Sequence, residues 1–199
     1  MDTPPEMPFL VPRTSRGREV AAYLTYLVDF YDRLPAYTVF IHSGENQWHN
    51  DLLGSKTSSL LESLRLAAVD SLGYVNLRCT EFPGCPTSVH PLEPTDTDIK
   101  NKDVRAYFAE LYMELFQVGM EDVPRHIGAA CCAQFAVSRE RIRQRPKGDY
   151  ERMLRWAAET KVANGFVVGW VFEYLWHLVF GMDAIQCVYT QCSTVITRG

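Results

Sequence analysis

Four titratable side chains follow a short β-branched and aromatic run in the first quarter of the chain. The run, Thr38–Ile41, predicts a strand buried on both faces, and His42, Glu45, His49 and Asp51 come after it. Ligand sites of α/β proteins lie where buried strands end, so His42 and Glu45 are candidate ligands of Mn²⁺ or Mg²⁺. His49 or Asp51 would act as general base or further ligand. The alternative is a surface loop whose histidines cap neighbouring backbone groups.

A second pair of candidate catalytic residues lies on a predicted helix that is apolar almost all round, Phe166–Phe180. Glu173 and His177 are four residues apart, so both project from the same face of that helix. In an active site Glu173 would orient His177. The alternative is structural, because buried polar groups need partners and these two could pair with each other or with a backbone carbonyl group.

Three further residues are candidates for binding a ligand. Trp48 offers an aromatic face to a flat or sugar-like ligand, or else anchors its loop. Gln134 lies on the predicted strand Ala129–Val137. Arg139 follows that strand at the start of a predicted helix, where its guanidinium and the backbone amides would both favour an anion. The alternative for Arg139 and the arginines after it is a solvated helix face.

Helical and extended patterns alternate along the chain, which predicts an α/β fold. The prolines between Pro83 and Pro94 exclude regular structure there. We predict a single domain with a short, mostly parallel sheet flanked by helices. The predicted helices are 17–33, 57–72, 102–117, a short helix capped by Ser138 and ended by Pro146, 149–160 and 166–180, and the strands are 38–41, 74–77 and 129–137. The predicted divisions are a flexible N-terminal lead (1–16), the α/β domain (17–181) with a proline-rich loop (78–100), and a C-terminal tail (182–199).

Composition and charge are those of an ordinary globular chain of 199 residues, with 47% hydrophobic and 22% charged residues. The net charge of -4 gives no electrostatic reason to expect a nucleic acid as partner. The N-terminus has no signal-peptide pattern, and the most apolar stretch, Gly165–Phe180, is too short for a membrane span. A cytoplasmic location is therefore predicted. The common nucleotide-binding and hydrolase motifs are missing.

Six cysteines stand at positions 79, 85, 131, 132, 187 and 192. In a chain of this size with no signal sequence, most of them are expected to stay reduced. No pair has the C-x-x-C spacing of a zinc site. Cys131 and Cys132 are adjacent on a predicted strand, so their side chains should point to opposite faces and should not easily bind one metal ion.

Several segments together resemble a fungal family catalogued as domain of unknown function 3431, over most of the chain from Gly17 to Gly181. The strand ending Q-F-A-V-S-R and the late helix with E-x-x-W-H are also similar to the second half of glycosyltransferases with a GT-A type fold. The segments resembling the family include G-R-E-V-A-A-Y-L-T-Y-L-V-D-F-Y-D-R-L-P, V-F-I-H, W-H-N-D, G-Y-V-N-L-R-C, P-G-C-P and C-C-A-Q-F-A-V-S-R-E-R-I-R-Q-R-P.

The likeness to glycosyltransferases implies a nucleotide-sugar site, with the V-F-I-H strand end replacing the usual acidic metal-binding motif. The chain departs from this pattern at Gly44, where those relatives carry a second histidine. It also shows no counterpart of their N-terminal strand–helix–strand portion, which would contact the nucleotide.

These observations lead to two hypotheses of different kinds. The first is a glycosyltransferase-like or other group transferase that acts on a small molecule, in which Arg139 holds an anionic leaving group. Its donor could be a nucleotide sugar or another activated group, such as an aminoacyl-tRNA or an activated isoprenoid. The second is a truncated family member that binds a partner without chemistry. The oligomeric state is left open by the sequence.

Overall fold

The computed structural model describes residues 10–50 and 54–187 of the chain. Eight α-helices and five short strands lie within these residues. The helices are α1 (Glu19–Phe30), α2 (Thr57–Glu62), α3 (Leu66–Leu72), α4 (Asp96–Asn101), α5 (Phe108–Phe116), α6 (Arg139–Arg143), α7 (Lys147–Glu159) and α8 (Gly165–Val179). The strands are β1 (Tyr37–Phe40), β2 (Tyr74–Asn76), β3 (Gly128–Ala129), β4 (Phe135–Ser138) and β5 (Ile185–Gln186).

The main sheet is antiparallel, so the prediction of a mostly parallel sheet is wrong, although the α/β class is confirmed. Its strand order is β1-β4-β2, and both edge strands run antiparallel to β4. Tyr37 pairs with Ser138 and Phe40 pairs with Phe135. Strands β1 and β2 do run in the same direction, as the alternation of strands and helices predicts. However, β4 lies between them and comes more than 50 residues later in the chain. Nothing in the local sequence pattern announces that insertion.

Burial along the strands follows from this order. All four residues of the central strand β4 are buried, whereas buried and partly buried residues alternate along the edge strand β1. The predicted burial of β1 on both faces is therefore wrong. Its β-branched and aromatic residues produce the same apolar run in a half-covered edge strand, because the partly buried positions Tyr37 and Val39 still pack against apolar neighbours.

Each face of the sheet carries its own hydrophobic cluster. The larger cluster joins Phe40, Phe135 and Val137 to the buried sides of α1, α5, α7 and α8. The smaller one joins Ala136, with neighbours from α2 and α3, on the opposite face. Successive residues of β4 thus enter different clusters, as the two-residue period of a strand requires. The sheet lies between two helical layers, and α8 belongs to the thicker one.

Several predicted helices have different bounds in the structure. The helix predicted at 102–117 is interrupted, because Lys102 has a left-handed backbone (φ 51°) and Asp103 begins a 3-10 turn before α5. The preceding helix α4 was missed; Thr95 and Asp98 close a reciprocal capping box at its start. Ser138 caps α6 by accepting a hydrogen bond from the Arg141 amide, as the sequence predicts. None of the helices described is long and apolar enough to cross a membrane.

The segment after α8 is tied to the proline-rich loop. Strand β5 pairs in parallel with β3, and Cys187 forms a disulfide bond with Cys85, 102 residues earlier. Cys79 is also disulfide-bonded. The expectation that most cysteines stay reduced is therefore wrong for the described part of the chain, where none is free. Sequence spacing could not show this, since these partners meet only after the chain has folded.

Candidate functional site

Polar side chains from three different segments meet along one edge of the main sheet. This edge is formed by the ends of the strands and is called the cleft edge below. Because β1 and β2 run in the same direction, both end at the edge where β4 begins, next to Phe135. His42 follows β1, Arg78 follows β2, and Cys132 and Gln134 precede β4. The antiparallel order thus places residues from three distant parts of the sequence beside one another.

The loop after β1 is held at this edge by a buried amide side chain. Gln134, which is 1% exposed, accepts a hydrogen bond from the His42 amide (3.2 Å) and donates one to the Asn50 side chain (2.9 Å). Asn50 in turn donates to the Ser55 carbonyl and the Thr57 hydroxyl, each at 3.1 Å. Gln134 was predicted to bind a ligand directly. In the structure it is buried and instead positions His42 and Asn50 through these hydrogen bonds.

Cys131 and Cys132 are joined by a disulfide bond between adjacent residues. They do not continue a strand: Cys132 and Ala133 have positive φ angles of 85° and 48°, and the backbone turns sharply before β4. The expectation that their side chains point to opposite faces is therefore wrong. That expectation assumed one strand over the whole run, whereas β3 ends at Ala129 and β4 begins at Phe135.

Cys132 is the point at which the side chains of this edge converge. Its amide donates to Glu173 Oε1 (2.9 Å), and its carbonyl oxygen lies 2.8 Å from His42 Nε2. Because a carbonyl can only accept, Nε2 of His42 carries the proton, and Nδ1 is the acceptor in the neutral ring. Arg78 donates to Cys132 Sγ at 3.3 Å, and its guanidinium lies 4.7 Å from the Trp48 ring centroid.

Two cavities are lined by residues of this convergence point. The first, of about 360 Å³, is lined by residues of the N-terminal segment, the loop after β1 and α8, and the second, of about 440 Å³, by the proline-rich loop and α8. Glu173 and Trp170 line both of them. The first cavity also contacts Arg18, Glu19, His42, Trp48, His49 and Cys132; the second also contacts Thr87, Ser88, Arg105, Cys131 and Tyr174.

Glu173 is the acid that these cavities share. Burial raises the pKa of its carboxyl group, and the nearby carboxylate of Glu19 acts in the same direction. The hydrogen bond from the Cys132 amide, with the charges of His42 and Arg78, opposes this without cancelling it. A carboxyl group with a raised pKa in a cleft is a stronger base when ionised and a competent acid when protonated. Glu173 can therefore exchange a proton with a ligand in either cavity.

His177, one turn beyond Glu173, lies in the core. It is 1% exposed, lines neither cavity, and donates from Nε2 to the Ala184 carbonyl oxygen at 3.1 Å. Burial lowers the pKa of its imidazole to about 4, so the ring is neutral at physiological pH. The structure does not bring His177 together with Glu173 in one site, and its contacts are those of the structural alternative.

The other predicted site residues are divided between the cleft and more distant surfaces. His42 and His49 lie together, with ring centroids 5.0 Å apart, and Trp48 stands beside them at the rim, 72% exposed. Glu45 is exposed and accepts a hydrogen bond from the Ser58 hydroxyl (2.6 Å). Asp51 lies outside the described residues.

Arg139 is at the opposite edge of the sheet from the cleft. Its amide donates to the Ala36 carbonyl oxygen (2.9 Å), and its side chain forms an exposed ion pair with Glu140 (3.3 Å). The antiparallel order places it there, because β4 begins at the cleft edge and ends at the Tyr37 edge. Arg139 therefore cannot reach a ligand held by His42 or Glu173 in this arrangement.

The predicted metal ligands His42 and Glu45 belong to no cluster of ligand atoms in the described parts of the chain. Across residues 10–50 and 54–187, one set of three or more His, Cys, Asp or Glu side chains brings its ligand atoms within 4.8 Å of one another. That set is Cys131, Cys132 and Glu173. The residues predicted to hold Mn²⁺ or Mg²⁺ and the residues brought together in space are thus different.

Sequence reasoning missed several residues of the cleft. Trp170 and Glu173 are three residues apart on α8, so helical spacing already places them on one face. Arg78 directly follows a predicted strand, which is the same signal that identified His42. Arg18 and Glu19, at the start of α1, gave no such signal, because nothing local shows that this helix begins beside the cleft.

Comparison with known proteins adds a family but no activity. A family model described as "Protein of unknown function (DUF3431)" matches residues 1–195, which confirms the family resemblance read from the sequence segments. No curated protein matches the chain, and no solved structure does.

Proposed function

Because the chain belongs to the DUF3431 family, whose description names no activity, we propose its function from the cleft: it transfers a glycosyl-like group between two ligands by general acid–base catalysis. The proposal deepens the first hypothesis drawn from the sequence and assigns its chemistry to Glu173. The sequence likeness to the second half of GT-A type glycosyltransferases supports the same class of reaction.

The observation that carries this proposal is that one carboxyl group with a raised pKa lines two separate cavities. A transferase must hold a donor and an acceptor at the same time, on either side of the group that moves a proton between bound atoms. A pure binding module has no need of a carboxyl group with a perturbed pKa between two cavities. Glu173 supplies the shared group, and Trp170 forms a wall of both cavities.

The lining residues fit a sugar-like ligand in the first cavity. Trp48 and Trp170 present exposed indole rings, at 72% and 40% exposure, which suit the apolar face of a pyranose ring. Arg18 stacks on the Phe166 ring at 4.4 Å and adds a positive charge where an anionic leaving group would need one. We therefore assign the donor to this cavity and the acceptor to the one lined by Thr87 and Ser88.

Glu173 acts as the base in this assignment. Its ionised carboxylate takes the proton of an acceptor hydroxyl while that oxygen forms the new bond to the transferred carbon, and the bond to the leaving group breaks. The amide of Cys132 holds Oε1, which fixes the carboxylate plane relative to both cavities. Since the base must be ionised, the rate rises as pH increases through the raised pKa of Glu173.

The test uses nucleotide sugars as probes. Purified protein is incubated with UDP-glucose, UDP-N-acetylglucosamine or GDP-mannose, each with Mn²⁺, and both nucleoside diphosphate release and thermal shift are measured. We expect one donor to raise the melting temperature and to be consumed. Glu173→Gln should keep the thermal shift and lose about 100-fold or more in rate.

Glu45→Gln is the matched control, because this acid is exposed and bonded to Ser58 outside both cavities. Its rate should stay within about twofold of the unmodified protein. Unchanged turnover in Glu173→Gln would refute the catalytic role of that carboxylate. A thermal shift without consumption of any donor would favour the binding module over the enzyme.

A further inference from the structure

The Cys131–Cys132 pair contributes one residue to each of the two cavities described above. Cys132 lines the first cavity and Cys131 lines the second. The two sulfur atoms and a carboxylate oxygen of Glu173 lie within 4.8 Å of one another. Two sulfur atoms that already share a bond offer little to a cation, whereas two thiolates at the same position are strong ligands for soft metals.

We propose that the reduced form of this pair, together with Glu173, is a binding site for a thiophilic divalent cation such as Zn²⁺ or Cd²⁺. A thiol or phosphine reductant breaks the S–S bond by supplying two electrons, and two protons from solvent convert the two sulfurs into thiols. Binding then replaces one proton on each thiol by the cation, with release of two protons to solvent. The Glu173 carboxylate, already ionised or giving up its own proton, supplies the third ligand.

The charges around the pair fit this occupant. Two thiolates and one carboxylate carry three negative charges, and the guanidinium of Arg78 beside Cys132 Sγ carries one positive charge. A divalent cation brings the set to neutrality, which a buried site requires. Arg78 is held in place by the carbonyl oxygens of Thr80 (3.2 Å) and Phe82 (2.9 Å), so its charge stays close to the sulfur.

The backbone at the pair favours a common ligand as well. Cys132 and Ala133 have positive φ angles, and both sulfurs, joined in the disulfide bond, lie within 4.8 Å of a Glu173 carboxylate oxygen. In an extended strand the same two side chains would point apart. The backbone here is not extended, so it is compatible with both sulfurs facing Glu173.

This inference goes beyond the proposed transfer reaction and does not depend on it, because metal binding can be measured without any turnover. A cation at this site would engage the carboxylate that we assign as the base, so the reduced, metal-bound protein could not use it. Binding without an effect on transfer would therefore leave the metal site intact and count against the assigned base.

The experiment measures Cd²⁺ binding to the full chain through the ultraviolet charge-transfer absorption of Cd–thiolate bonds. The protein is reduced with a phosphine, which becomes a phosphine oxide by taking oxygen from water, and is compared with the oxidised protein. We expect the reduced protein to bind one Cd²⁺ more than the doubly substituted C131S/C132S variant reduced in the same way. The remaining cysteines are identical in the two proteins, so the difference reports this pair.

Glu173→Gln provides a second measurement that keeps both cysteines. It should weaken Cd²⁺ binding at this site about tenfold or more, because it removes a direct ligand. Glu45→Gln, which alters an acid outside the site, should change the affinity by less than about twofold. The unmodified protein in concentrated urea should lose the contribution of Glu173, so its affinity should fall to that of the Glu173→Gln variant under the same conditions.

Equal Cd²⁺ stoichiometry in the reduced protein and in C131S/C132S would overturn the proposal. Equal affinity in the folded protein, in Glu173→Gln and in urea would also overturn it, since adjacent thiols would then be binding without the fold.

Discussion

Two consecutive turns of α8 each carry a titratable side chain, one beside the cavities and one in the core. Glu173 opens onto both cavities, and burial raises the pKa of its carboxyl group. His177, on the same helix face one turn later, is enclosed, and burial lowers the pKa of its imidazole to about 4. Burial favours the neutral form of both groups, but only Glu173 is placed where a ligand can reach it.

Helical spacing thus shows that two side chains project from the same face of a helix. It does not show whether each one is buried in the core or open to a cavity. The partner of Glu173 is the Cys132 amide, at the edge of the sheet, whereas the partner of His177 is the Ala184 carbonyl oxygen in the segment after the helix. The first partner lies beside open space and the second lies beneath covering chain. A cleft end and a core end of one helix therefore have different functions.

The largest expected effect is the pH dependence that His177 gives to the free energy of unfolding. Its pKa is 6.5 when exposed and about 4 in the folded protein. As pH falls from 6.5 to 4, the unfolded chain binds a proton that the folded protein does not, so the free energy of unfolding falls by about 3 kcal/mol. His177→Gln, which keeps a donor for Ala184, should remove this loss when urea unfolding is measured across that pH range.

Glu173 provides the control of opposite sign. Its folded-state pKa is raised, so its contribution to stability is present below the unfolded-state pKa and is lost as pH rises through the folded value. Glu173→Gln removes a contribution that grows as pH falls, so the decline between pH 6.5 and 4 should persist and become steeper. An equally steep decline in the His177→Gln variant would contradict the assignment of His177 to the core.

The next effect concerns Gln134, which links the core to the cleft. Gln134→Ala leaves the His42 amide and the Asn50 side-chain oxygen without their partner, and we expect a loss of about 2–3 kcal/mol in the free energy of unfolding. Hydrogen exchange at the His42 amide should accelerate in the same variant. The matched control is the exposed Gln144, whose side chain accepts a hydrogen bond from Arg141, and Gln144→Ala should cost less than about 0.5 kcal/mol.

Slow exchange at His42 in Gln134→Ala would mean that the loop after β1 is positioned by other contacts. The cleft would then be less dependent on the core than the comparison implies.

The smallest effect is expected at Arg139, which lies at the edge of the sheet away from both ends of this comparison. Its ion pair with Glu140 is exposed, and exposed pairs contribute little. Arg139→Ala should change the free energy of unfolding by less than about 0.5 kcal/mol and leave thermal shifts with nucleotide sugars unchanged. Loss of those shifts would place an anion site at the Arg139 edge and would contradict the donor cavity assigned beside Arg18.

The sequence by itself determined the longer helices, the strands of the main sheet and part of the cleft. Apolar spacing predicted α1, α7 and α8, and the strands β1, β2 and β4 overlap the predicted runs. The rule that polar groups after strand ends form sites led to His42 and His49, which do lie at a cavity. These features follow from local periodicity, which the chain carries residue by residue.

Tertiary structure alone decided which of these groups meet. The insertion of β4 between β1 and β2 placed Arg78 and Cys132 beside His42 and sent Arg139 to the far edge. Periodicity describes which face of an element is apolar, and it carries no record of the distant segment that covers that face. Whether a polar side chain there becomes a proton carrier such as Glu173 or a core contact such as His177 depends on that covering segment, and so was decided only by the fold.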